Sequence, residues 1–163
     1  MAYFEDLSIY RYSDVDIIET DWGWLEFRPG YDRINVGWLD ASHPFEEGPT
    51  PSWFANSLLD IIAAARVNTM RGYSRCPFCP SRPEDPMLSV AHPSGILWLG
   101  HTEIRVPGPG VMFAGPSLIW HYVTAHSYRP PAGFIEAVEQ YDFGWTAESG
   151  PWIPSDAQRI TFD

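Results

Sequence analysis

Thr50-Pro51-Ser52-Trp53-Phe54-Ala55-Asn56-Ser57-Leu58-Leu59-Asp60-Ile61-Ile62-Ala63-Ala64-Ala65 decides the fold class. A threonine followed by a proline is how helices commonly begin, because proline's missing amide hydrogen falls where no helical bond would be made. Trp53, Phe54, Leu58, Ile61, Ile62 and Ala65 then recur at helical spacing. The spacing predicts a helix over residues 51–67 whose apolar stripe must lie against something, and the flanking sequence says what. On the N-terminal side, Trp22–Arg28 alternates loosely, Pro29-Gly30 supplies turn chemistry, and Ile34, Val36 and Trp38 share one face of Arg33–Leu39, so two antiparallel strands are expected. On the C-terminal side, Gly95–Gly100, Thr102–Val106 and Val111–Ala114 read as strands, with Pro107-Gly108-Pro109-Gly110 breaking the chain between the last two. Further helices are expected from Pro116 to His126 and from Pro131 to Tyr141, separated by Pro130-Pro131, since a residue before proline is pushed out of helical geometry.

The expected architecture is therefore α+β: a small antiparallel sheet with about three helices. At 163 residues, with 45% hydrophobic content, the chain is read as a single domain over residues 1–163. Residues 1–21 form an aromatic-rich N-terminal arm in this reading. A tail over residues 143–163, carrying Trp145, Trp152 and Ile153, is expected to pack on the body.

Charge narrows the partners. Twenty-one acids against ten bases leave a net charge of −11, a surface that repels nucleic-acid phosphates and anionic membranes and suits a basic protein partner. No stretch approaches the ~20 apolar residues of a membrane span, and the N-terminus lacks a basic region followed by an apolar one, so a cytoplasmic location is expected. All ten basic residues are arginine, a bias that hides any functional one.

Only two cysteines occur, two residues apart in Cys76-Pro77-Phe78-Cys79. Such a turn can aim two thiolates at one ion, and tetrahedral zinc takes two thiolates with two imidazoles. His121 and His126, in the second predicted helix, offer the nitrogens. The plainer alternative is a redox pair or two small buried residues, with His121 a core histidine. One geometric objection stands against zinc: at ~100° per residue, positions five apart lie roughly 140° out of register on a regular helix, so the last turn must depart from α geometry for both to ligate. His101 is the fallback ligand. A catalytic variant is also conceivable, because His101-Thr102-Glu103 with the cysteines evokes zinc deaminases, with Glu103 as proton carrier. Its order along the chain is the reverse of theirs.

Two further groups invite a plain reading. Glu103 and Arg105 share a strand face with His101, a row that can form a polar site but is more often a solvated face, and a solvated face is likewise expected for Glu5, Asp6, Asp14 and Asp16, which lack the loop spacing of a calcium site. Pro107–Gly110 lacks a following Lys-Ser/Thr, and its prolines remove the amides a phosphate cradle needs. Neither a serine nor a cysteine stands in a recognisable nucleophile motif.

The string as a whole resembles an uncharacterised family of small bacterial proteins, a domain of unknown function of the actinobacterial type. The blocks that carry the resemblance are Tyr3-Phe4-Glu5-Asp6-Leu7-Ser8, Asn35-Val36-Gly37-Trp38-Leu39-Asp40, Cys76-Pro77-Phe78-Cys79, Glu103-Ile104-Arg105-Val106-Pro107-Gly108-Pro109-Gly110 and the run Leu118–His126. The resemblance implies no activity. It implies that Cys76, Cys79, His121 and His126 belong together and that position 101 is not central, which leaves a structural zinc in a binding or interaction module as the leading expectation and a small zinc-dependent hydrolase using Glu103 as the alternative.

Overall fold

Residues 2–80, 87–147 and 150–160 are described by the computed structural model. The end of the cysteine loop at residues 81–86 and the last three residues of the tail lie outside them.

Three helices lie against a seven-stranded mixed sheet: α1 (Phe54–Ala64), α2 (Ile119–His126) and α3 (Ala132–Glu139). The strands are β1 (Asp16–Thr20), β2 (Gly23–Phe27), β3 (Arg33–Asn35), β4 (Arg66–Val67), β7 (Glu103–Gly108), β8 (Val111–Pro116) and β9 (Gln158–Ile160), in the order β3-β8-β7-β4-β1-β2-β9. A separate hairpin pairs β5 (Leu88–His92) with β6 (Gly95–Leu99).

The α+β class and the three helices stand as the sequence predicts, but the strand pairing differs. Pro29-Gly30 does not close a hairpin: β2 pairs with β1, inside the segment expected to be an irregular arm, and β3 crosses the molecule to pair in parallel with β8. The arm proper, residues 2–15, runs antiparallel along β3, with the Leu7 and Tyr10 amides donating to the carbonyls of Asn35 and Arg33. It thus covers a sheet edge that would otherwise present bare amides.

Side chains alternate along strands, and this sorts the core into two layers. Ile104, Val106 and Phe113 face the helices and join Phe54, Leu58, Ile61, Ile119, Tyr122 and Phe134 in the main core. The other sheet face is covered in two parts. Trp145 and Ile153 of the tail lie on Ile18, Leu25, Phe27 and Met112, while Tyr10 of the arm packs with Trp38 and Ala114.

The sheet has a narrow waist. β4 is two residues long and meets β7 through a single paired position, Val67 with Glu103. Across this waist, on the face away from the helices, lies a buried charge network. Asp16 of β1 accepts from Arg105 of β7 through both oxygens, at 2.8 and 3.1 Å, and from Arg33 of β3 at 2.8 Å. Arg105 also donates to Glu103 at 2.9 Å, and Glu103 accepts from the Tyr10 hydroxyl at 2.7 Å. The two guanidiniums each lie 4.6 Å from the centre of the Tyr10 ring. Asp16, Glu103 and Arg105 are buried, correcting the solvated faces expected for them.

Candidate metal centre

The cysteine loop is hung from the start of β7. The Met70 amide donates to the His101 carbonyl at 2.8 Å and the Ser74 amide to the Gly100 carbonyl at 2.7 Å. Gly100 adopts φ +99° and lies so close to Ser74 that a Cβ there would run into the Ser74 carbonyl, so this crossing requires glycine. Hung this way, Cys76-Pro77-Phe78-Cys79 folds as a turn beside the C-terminal end of α2, with the Phe78 ring 5.9 Å from Tyr122 and 5.3 Å from His126.

The two histidines meet the sulfurs through their outer ring nitrogens. Cys76 Sγ lies 3.3 Å from His126 Nε2, and Cys79 Sγ lies 3.3 Å from His121 Nε2 and 3.4 Å from His126 Nε2. All four donor atoms fall within 4.8 Å of one another. The objection from helical register is answered at the helix end, by widening. The Ser127 amide, in the left-handed conformation at φ 57°, donates to the Tyr122 carbonyl, and so does the Tyr128 amide at 3.1 Å. Bonds that span five and six residues close α2 just past His126 in a turn wider than an α-helical one, and the two imidazoles converge from either side of the helix end.

These donors fit a divalent cation. Zinc–sulfur and zinc–nitrogen bonds of about 2.3 and 2.0–2.1 Å at tetrahedral angles set S···N separations of about 3.5 Å, close to those observed. Local electrostatics are divided between the sulfurs and the imidazoles. Burial pushes the Cys76 thiol up to about 11, the Cys79 sulfur beside it adds to this, and the Phe78 amide, 3.4 Å from the Cys76 sulfur, works the other way. Burial, then the neighbouring His126, lowers the His121 pKa, which favours the neutral imidazole a metal needs. A thiol raised this far is a poor redox nucleophile. The buried Tyr122 hydroxyl has no hydrogen-bond partner among the described residues, and its pKa is raised by burial and then by the two sulfurs. It stands as a spare donor beside atoms that become negative when a cation binds.

The other expected site residues lie elsewhere. His101 is outside the cluster: its ring stacks on Tyr73 at 4.5 Å, its Nδ1 is buried without a partner among the described residues, and burial lowers its pKa. The fallback ligand is not used. Glu103 points to the opposite sheet face from α2 and is held by Tyr10 and Arg105, so the deaminase-like arrangement is not formed. One more contact has no signal along the chain: His92 accepts from Ser94 at Nδ1, 2.7 Å from its Oγ and 3.1 Å from its amide, and reaches Asp60 of α1 with Nε2 at 2.8 Å. The amide contact makes this imidazole part of the turn itself, and it pins the β5–β6 hairpin to α1.

A family model described as a domain of unknown function, DUF7919, matches residues 2–139. The chain belongs to this family. No curated protein and no solved structure matches it. The DUF7919 span contains the four clustered residues, the charge network and all three helices, and ends before the tail that carries β9. No helix among the described residues is long and apolar enough to cross a membrane.

Proposed function

We propose that this domain is a non-enzymatic binding or interaction module whose cysteine loop and second helix are joined by one structural zinc ion on Cys76, Cys79, His121 and His126. The observation that carries the reading is the convergence of four protein donors, two sulfurs and two nitrogens, from segments 42 to 50 residues apart. Four protein ligands complete a tetrahedral shell, whereas catalytic zinc keeps one position for water. When bound, zinc supplies a cross-link. The chain's own part is to aim the donors, with the Phe78 amide to offset thiolate charge.

Glu103 supports the same choice from the other side, since the carboxylate a hydrolase would need is committed to Arg105 and Tyr10. The net charge of −11 suits a basic protein partner, and reduced zinc thiolates suit the cytoplasm. Elemental analysis of purified protein tests the metal: one zinc per chain is expected, lost from Cys79→Ser and His126→Ala and retained by His101→Ala. Metal-free protein whose thermal stability ignores EDTA would sink the reading, as would loss of zinc from His101→Ala alone.

A further inference from the structure

Pro107, Gly108 and Pro109, part of a turn that takes no part in the metal centre, form one wall of a cleft of about 490 Å³. The opposite wall is α3 with its C-terminal cap, contributing Gly133, Glu136, Ala137 and the cap residue Gln140. Offsets of three, four and seven place these residues on one side of a helix. Between the walls lies Phe113, whose ring packs edge-on against Phe134 at 5.6 Å. Small residues make the space. A Cβ at Gly108 would come within 2.8 Å of the Phe113 ring, and a Cβ at Gly133 would stand 3.8 Å from it with nothing nearer. The volume lies in the ~300–1,000 Å³ range of small-molecule sites.

The lining sets the ligand chemistry. The walls are largely apolar, and the one ionisable lining residue is Glu136. Past Pro107 and Gln140 lies an adjoining hollow of about 240 Å³, lined in part by Asp142, Trp145 and Trp152. Among the described residues, the ionisable groups lining the pair are the carboxylates of Glu136 and Asp142. A carboxylate at the rim of an apolar trough attracts a cation by Coulomb attraction and repels an anion.

We propose that this cleft binds a small organic cation, an ammonium group carrying an apolar substituent, with its charge at Glu136 and its apolar part over Phe113 between Pro107 and Ala137. The site is independent of the zinc reading, because none of its lining residues is a metal donor.

Calorimetric titration of the purified full chain with benzyltrimethylammonium tests it. Saturable binding is expected with Kd on the order of 1 mM or tighter, and sodium benzoate, of similar size and opposite charge, should give none. Glu136→Gln should weaken the cation about fivefold. Gly133→Leu should fill the trough and abolish binding while the Tm holds or rises, because leucine is the better helix former, and this separates loss of the site from loss of the fold. Absence of saturable cation binding, benzoate binding as tightly as the cation, or an unchanged Kd in Glu136→Gln would each overturn the proposal.

Discussion

The two faces of the central sheet solve one problem in different ways. Each carries a cluster of polar side chains inside apolar surroundings, and each cluster joins pieces that pack poorly alone. On the face away from the helices, Asp16, Glu103, Arg33 and Arg105 bring two carboxylates against two guanidiniums, so the charges balance within the chain. On the helix face, Cys76, Cys79, His121 and His126 offer only donors to a cation, and nothing in the set neutralises two thiolates. The first cluster staples the halves of a sheet that meets at a two-residue strand. The second, in our proposal, becomes a staple only with zinc. Protein-supplied charges make a permanent joint, whereas a metal site makes one that depends on what the surroundings supply.

The largest effect should come from breaking the metal joint. Structural zinc contributes apparent binding free energies of about 10–16 kcal/mol in small domains, so Cys76→Ser or chelation should cost more than about 5 kcal/mol, a large part of ordinary domain stability. Hydrogen exchange tells the faces apart. Protection should collapse in α2 and the cysteine loop while β1 and β2 keep theirs, and simultaneous loss on both faces would show that the staples are one cooperative unit.

Arg105→Met should cost about 3–5 kcal/mol, because it leaves Asp16 and Glu103 buried without their shared cation. Chemical denaturation reads this, and zinc content should not change. A variant of wild-type stability would mean that water reaches the waist. Gly37→Ala should cost about 2 kcal/mol: φ there is +76°, and a Cβ would stand 2.7 Å from Ile119 Cδ1, where α2 packs on the segment after β3.

The charge network also fixes a pH dependence. Burial alone would raise the Asp16 pKa, but Arg105 and then Arg33 outweigh it and hold it below the ordinary carboxylate range. A group whose pKa is depressed on folding contributes stability above its unfolded pKa, about 4, and loses it as pH falls through the lower folded value. Denaturation midpoints of wild type and Asp16→Asn should therefore differ most near neutrality and converge in strong acid, and a gap that stays constant with pH would refute the ionised assignment. The smallest effect is expected at His101→Ala, which should leave metal content untouched and shift stability by no more than about 1 kcal/mol.

Which parts were legible in advance follows from the range of the forces involved. The helices are marked locally, by apolar residues at helical spacing and by prolines at their limits, and so is the cluster of candidate donors, because zinc chemistry restricts ligands to few residue types and Cys-x2-Cys is a turn in itself. Charge balance and family resemblance could likewise be read along the chain. The parallel crossing of β3 to β8, the burial of Glu103 and Arg105, and the widened end of α2 are not marked by any neighbouring residue. Alternating Glu103 and Arg105 look the same on a wet face as on a buried one, and only Asp16 and Arg33, brought from other strands, decide that they are dry. Local spacing sets which elements form and which donors are available, whereas long-range pairing decides which face each side chain meets, since a strand shows the same alternation whatever lies beside it.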